Sequence, residues 1–212
     1  MQRHANQGVV VIEGLKPFYT RLLKPMIGLF VRLHLRPSHL TLSGVVLFLL
    51  AGALVAGGFW YWSAACVTLG AFMDGWDGLL AREKGMKTRF GAILDSTCDR
   101  MTEIAWIGGI VYFYFANDTG TPLYGWGVAL GMAGLAGSLM VSYVKARCEG
   151  EGIRCGEGIL QRPERIFLVG IGQLIGPRAM VGSLALLSML SWYTVLQRLM
   201  VARKRTGENP AQ

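Results

Sequence analysis

Residues 40–60 read LTLSGVVLFLLAGALVAGGFW and carry no charged side chain. A helix that crosses the hydrocarbon layer needs about 20 mostly apolar residues, so this stretch is read as a membrane span. A second span follows at 61–81 and runs into the charged string MDGWDGLLAR. Further spans are expected at 91–115, at 122–144, at 166–177 (a short one) and at 179–200. Upstream, 16–36 reads KPFYTRLLKPMIGLFVRLHLR, with basic residues spread among Phe, Leu, Ile and Val. That pattern predicts an amphipathic helix lying in the interface, kinked where Lys24 precedes Pro25. The expectation is an all-α integral membrane protein of six transmembrane helices plus this N-terminal interfacial helix. It forms one domain over 1–212, with a bundle at 37–204 and a flexible tail at 205–212.

Composition points the same way. Hydrophobic residues make up 52% and charged residues 16%, against roughly 25% charged in a soluble domain. The mean hydropathy is +0.41. A disordered chain, a nucleic-acid arm and an ordinary soluble enzyme are excluded. The net charge of +8, from 21 Lys and Arg against 13 Asp and Glu, is assigned to cytoplasmic loops and lipid headgroups rather than to nucleic acid. Lys and Arg collect at 82–89, at 145–165 and at 203–205, while the turns near 57–62 and 116–124 hold none and the turn near 176 holds only Arg178. The positive-inside rule then places both termini in the cytoplasm of a multi-pass cell-membrane protein. Residues 1–21 lack the apolar run and cleavage site of a signal peptide. Cys66, Cys98, Cys148 and Cys155 form no C-x-x-C pair and read as buried thiols.

The acids carry the chemistry. Asp74, Asp77, Asp95 and Asp99 fall at or inside the expected spans, where each charge costs roughly 2.5–3.5 kcal/mol on insertion scales. Asp74 and Asp77 share one helix face by their spacing, and so do Asp95 and Asp99. Two facing helices would bring four carboxylates together, and mutual repulsion then calls for cations. Oxygen ligands select hard divalent ions, Mg²⁺ or Mn²⁺, two per chain. Gly78 and Gly91 clear room for a ligand, and Arg82, Lys84, Lys87 and Arg89 stand ready for phosphate oxygens. The combination suggests in-line displacement at phosphorus on the cytoplasmic side. Glu103 either tunes this site or pairs with Arg100 or a neighbouring helix. Gly127 and Gly131 read as a close helix-packing face, within the chain or across a dimer. A cation channel would spread its acids through the membrane depth, and a scaffold would gain nothing from four buried acids.

The string DGWDGLLAREKGMKTRFGAILDSTCDR at 74–100 contains D-x-x-D-G-x-x-A-R, eight residues, then G-x-x-x-D-x-x-x-D. It resembles the signature of the CDP-alcohol phosphatidyltransferases at Asp74, Asp77, Gly78, Ala81, Arg82, Gly91, Asp95 and Asp99. The resemblance implies that Asp74, Asp77, Asp95 and Asp99 bind the metals. Asp99 would also be the general base that frees the acceptor hydroxyl to attack the CDP-linked lipid. Gly78, Arg82 and Thr88 would hold the cytidine diphosphate of CDP-diacylglycerol, with Pro37, Ser38, His39 and Leu40 before the first span. Ser38 departs from the Asn common there. A homodimer is implied on the same ground. The strings SYVKARCEGEGI at 142–153 and QRPERIFLVG at 161–170 resemble the branch that makes phosphatidylinositol phosphate or its archaeal ether-lipid equivalent. There Lys145, Arg147 and Arg165, with Arg162 behind them, would hold the phosphate of a phosphorylated polyol acceptor. Inositol phosphate is the expected acceptor. Glycerol 3-phosphate, giving phosphatidylglycerophosphate, is the alternative.

Overall fold

The computed structural model describes residues 26–86, 88–153, 155–156 and 158–207. Among these the chain is helical, with no strand. Helical turns at 26–32 lead into α1 (Pro37–Ala56), α2 (Trp60–Glu83), α3 (Arg89–Ala116), α4 (Pro122–Gly150), α5 (Arg162–Ile175) and α6 (Pro177–Thr206). Proline stands in the first turn of α1, α4, α5 and α6, where its missing N–H has no intrahelical partner to lose. Thr88 caps α3 by accepting a hydrogen bond from the Gly91 N–H at 2.9 Å. Gly176, at φ +120°, breaks α5 from α6 in a conformation that favours glycine.

Each expected span has its helix, with shifted ends. α4 runs six residues past its expected end because i,i+4 pairs carry it on: Lys145 with Glu149 at 3.8 Å and Arg147 with Glu151 at 2.6 Å. α5 begins four residues early, at the Pro163 turn. Among the described residues three helices, α1, α4 and α6, are long and apolar enough to cross a membrane, with mean hydropathies of 2.1, 1.6 and 1.6 over their best stretches. α2 and α3 carry the acids, and α5 spans only about 21 Å at 1.5 Å per residue. Leu42, Val46 and Leu49 on α1 and Met189 and Leu196 on α6 are exposed, as suits helices whose solvent is lipid.

α1 packs on α2 and α3, α4 on α3 and α6, and α5 on α6 and α2. Phe48, Trp106, Ile110, Tyr114, Leu184 and Leu187 form the core between them. α1 and α3 cross in backbone contact. A Cβ at Gly52 would lie 2.2 Å from the Ala105 carbonyl oxygen, and one at Gly109 2.2 Å from that of Gly52. The glycine face of α4 packs within the chain: Cβ atoms at Gly127 and Gly131 would strike the Tyr114 ring at 2.4 Å and Val111 at 2.5 Å. Buried Gln173 ties α5 to its neighbours, accepting from the Trp106 indole N–H at 2.7 Å and donating to the Trp60 carbonyl at 2.9 Å.

Of the expected interfacial helix, only 26–36 is described; Lys24 and Pro25, Lys87, Arg154 and the end of the tail lie outside the described residues. Ile27 and Phe30 are buried against Leu40 and Leu80, so the segment is pinned to the start of α1 and the end of α2. The four cysteines are free thiols, buried except for half-buried Cys66.

Candidate active site

α2 and α3 present their acids to one another, on the C-terminal half of α2 and the N-terminal half of α3. One carboxylate oxygen each from Asp74, Asp95 and Asp99 lies within 4.8 Å of the other two. Asp77 sits one turn further along α2, is 6% exposed, and its Oδ2 accepts a hydrogen bond from the Thr41 hydroxyl at 2.5 Å. Thr41 thus links the start of α1 to the acidic face of α2. The spacing argument holds for three of the four acids as one cluster, with Asp77 held beside it by α1.

Arg162 enters this cluster from the first turn of α5. Its Nη1 lies 2.7 Å from Asp74 Oδ2 and 2.7 Å from Asp99 Oδ1, and Nη2 donates to Thr102 Oγ1 at 3.3 Å. Asp99 Oδ1 is close enough to Arg162 for an ion pair but is misaligned, and this buried oxygen has no hydrogen bond. Three converging carboxylates, one of them with an unsatisfied oxygen, are an all-oxygen donor set. That fits a hard divalent cation.

Beside the cluster opens a cleft of about 280 Å³. Asp95, Asp99 and Arg162 of the cluster line it together with Lys145, Arg165 and Arg198. Arg165 is buried and donates from Nε to Glu103 Oε1 at 2.8 Å. Arg198 donates from Nη1 to the Val141 carbonyl. Lys145 is half-exposed in its pair with Glu149. Arg147 is not brought to this cleft; its side chain is 67% exposed and pairs with Glu151 on the outside of α4.

The residues expected to hold the nucleotide divide in the same way. Gly78 is exposed, and a Cβ there would meet nothing within 4 Å, which leaves its backbone open to a ligand. Arg82 and Thr88 are exposed at the end of α2 and the start of α3. Pro37, Ser38 and His39 form the first turn of α1, with Ser38 and His39 exposed. Leu40 instead points into the packing against Leu80.

Thr41, Ser138 and Arg198 belong to the site but were not singled out by motif spacing. The signal for Arg198 was a lone cation in the apolar run of α6, TVLQRLM at 194–200. Thr41 and Ser138 are short hydroxyl residues in apolar helices and gave none.

Residues 34–201 match the CDP-alcohol phosphatidyltransferase family. The chain is 38% identical over 200 residues to phosphatidylinositol phosphate synthase of Corynebacterium glutamicum, covering 91% of this chain and 89% of that protein. It is 33% identical over 199 residues to archaetidylinositol phosphate synthase of Methanothermobacter thermautotrophicus, covering 92% and 95%. Among solved structures it is similar to Mycobacterium tuberculosis phosphatidylinositol phosphate synthase with CDP-DAG bound, with TM-score 0.76, 32% identity, and coverage of 86% of this chain and 94% of that one. The same protein in complex with manganese and citrate gives TM-score 0.77 at 31% identity, covering 85% and 88%.

Proposed function

The chain belongs to the CDP-alcohol phosphatidyltransferase family, and from that premise we propose that it moves a phosphatidyl group from CDP-diacylglycerol to inositol phosphate, releasing CMP. The observation that carries the acceptor assignment is the cleft. It is lined by Asp95 and Asp99 and, in the same cavity, by Lys145, Arg165 and Arg198. A phosphate monoester carries up to two negative charges, and arginine forks are its best partners. Lys145 and Arg165 each have one carboxylate partner, Glu149 and Glu103, so three cations face two acids here, and a phosphorylated acceptor adds the negative charge that a neutral polyol does not.

In this reading Asp74, Asp77, Asp95 and Asp99 hold two divalent ions, Mg²⁺ or Mn²⁺. Bound there, the ions would supply Lewis-acid stabilisation of the diphosphate oxygens. Gly78, Arg82 and Thr88, with the 37–40 turn, hold the cytidine diphosphate. Lys145, Arg165 and Arg198 fix the acceptor by its phosphate so that a ring hydroxyl faces Asp99. Asp99 takes the proton of that hydroxyl, the freed oxygen attacks the lipid-bearing phosphorus, and the bond from that phosphorus to the CMP oxygen breaks. Six helices set in the membrane, with the acids and both termini facing the cytoplasm, place the site beside soluble acceptor and lipid-borne donor. A homodimer completes the reading.

The test is CMP release by purified protein given CDP-diacylglycerol and Mg²⁺ with inositol phosphate, glycerol 3-phosphate, free inositol or serine. Release with inositol phosphate alone is expected. Release with glycerol 3-phosphate alone would overturn the acceptor assignment while keeping the transfer chemistry.

A further inference from the structure

Glu103 is an acid outside the carboxylate cluster. It lies one helical turn beyond Asp99 on α3, is 5% exposed, and is among the residues that line the cleft. A buried carboxylate is costly unless it is paired and hydrogen-bonded. Glu103 has both kinds of partner, and both reach the same oxygen. Oε1 accepts from Arg165 Nε at 2.8 Å and from Ser138 Oγ at 2.9 Å. Arg165 comes from α5 and Ser138 from α4, so polar groups of three helices meet at this point.

Which edge of the guanidinium is engaged decides what Arg165 can do. A guanidinium offers five N–H donors in a rigid fork. Glu103 engages the Nε–H next to the side-chain stem. The two Nη groups at the far end remain for a ligand in the cleft, and they form the edge that meets a phosphate bidentately. Arg165 is 4% exposed, so its fork cannot be set by water and must be set by the groups around it. Glu103 also places a negative charge directly against Arg165, in the same cleft as Lys145 and Arg198.

We infer that Glu103 is a positioning residue for acceptor recognition: it holds Arg165 by Nε and so aims the Nη edge at the acceptor's phosphate, making selection for a phosphorylated polyol depend on a residue that acts through Arg165. This rests on the acceptor site proposed above. Ser138 supports the arrangement by fixing the Glu103 carboxylate.

Steady-state kinetics on the full chain in lipid, with CDP-diacylglycerol and inositol phosphate, test it with Glu103→Gln, Ser138→Ala, Arg165→Ala and the Glu103→Gln/Arg165→Ala double variant. Loss of one charge-assisted hydrogen bond predicts that Glu103→Gln raises the acceptor KM about tenfold. It should leave the donor KM within about twofold and add nothing to Arg165→Ala, because coupled residues are not additive. Ser138→Ala removes only a hydroxyl and should raise the acceptor KM about two- to threefold. If Arg165→Ala raises the acceptor KM and Glu103→Gln does not, the role of Glu103 is overturned and the acceptor site stands. If Arg165→Ala leaves the acceptor KM unchanged, the acceptor site fails and Glu103 has nothing to position. Equal rises in both KM values, or additive effects in the double variant, would make Glu103 a structural residue only. Should Glu103→Gln not fold, an unchanged acceptor KM in Ser138→Ala overturns the inference by itself.

Discussion

Replacing Arg162 with Gln should tighten divalent metal binding. Arg162 Nη1 sits 2.7 Å from an oxygen of Asp74 and 2.7 Å from one of Asp99, two of the three carboxylates suited to a cation. A guanidinium and a metal ion cannot share that position, so an ion entering there displaces the arginine. Two unit charges about 4 Å apart attract by about 4 kcal/mol at an effective dielectric constant of about 20. Desolvation offsets much of this, because the Arg162 side chain is only 18% exposed. The net value of a hydrogen bond to a charged group is about 1.5–3 kcal/mol. Taking the lower end, the loss of the competitor lowers the Mn²⁺ dissociation constant about tenfold, since about 1.4 kcal/mol is a factor of ten. The assay is titration of Mn²⁺ into protein without nucleotide, following the free ion by its paramagnetic resonance signal. Arg162→Lys keeps a charge but loses the fork, and should fall between wild type and Arg162→Gln. Unchanged or weaker Mn²⁺ binding in Arg162→Gln would refute the competition, and Arg162 would then be a stabilising partner of the cluster.

Three further variants probe the site and its frame. Asp99→Asn should lower kcat by about 10²–10⁴-fold, the range for loss of a general base, while equilibrium binding of CDP-diacylglycerol persists; retained turnover would remove Asp99 as the base. Arg198→Ala should raise the KM for inositol phosphate about tenfold, the loss of one charged contact, whereas Arg147→Ala, whose partner is Glu151 outside the cleft, should leave it within about twofold as measured by CMP release. Gly52→Ala should destabilise by about 1–3 kcal/mol or more, because overpacking here meets backbone rather than a movable side chain. Gly182→Ala, with nothing within 4 Å of its Cβ, is the neutral comparison in thermal unfolding.

The parts of this protein that were legible in the sequence are those that a single helix encodes. Hydropathy located α1, α4 and α6, since an apolar run of that length has few other fates. The i,i+3 and i,i+4 spacings put the acids on shared faces of α2 and α3, and the fold brings Asp74, Asp95 and Asp99 together as that spacing implied. Helix ends were less legible where a local interaction extended or cut the helix: ion pairs carried α4 onward, and Pro163 started α5 early. The basic positions show the limit most clearly. Lys145 and Arg147 lie on one helix two residues apart, and two residues along a helix is a turn of about 200°, so they point nearly opposite ways. A reading by charge and neighbourhood grouped them, while helix geometry separates them and leaves only Lys145 at the cleft.

The remaining members of the cleft are joined by tertiary contact alone. Glu103 meets Arg165 across 62 positions of sequence, Arg162 reaches Asp74 across 88, and Arg198 reaches the Val141 carbonyl across 57. No spacing rule connects such pairs, but one physical rule narrows them. A charge inside an apolar helix needs a partner; Glu103 is read that way in the sequence, and the same rule applies to Arg198 in the apolar run of α6. Sequence therefore supplies which groups must be paired, and the helix crossings supply with whom. The Gly52–Gly109 contact brings α1 onto α3 at backbone distance, and Gln173 locks α5 against α2 and α3. Those two fixings set the depth at which Arg162 and Arg165 face the acids. A shift of α5 by one turn, about 5.4 Å, would carry both arginines out of reach of Asp99 and Glu103 together. The metal cluster and the acceptor cleft are thus joined by the register of one short helix, and Gln173→Leu, which cuts that lock without touching either site, should tighten Mn²⁺ binding, by withdrawing the competing Arg162, and raise the acceptor KM in the same protein. Effects on one without the other would show that the two sites are set independently.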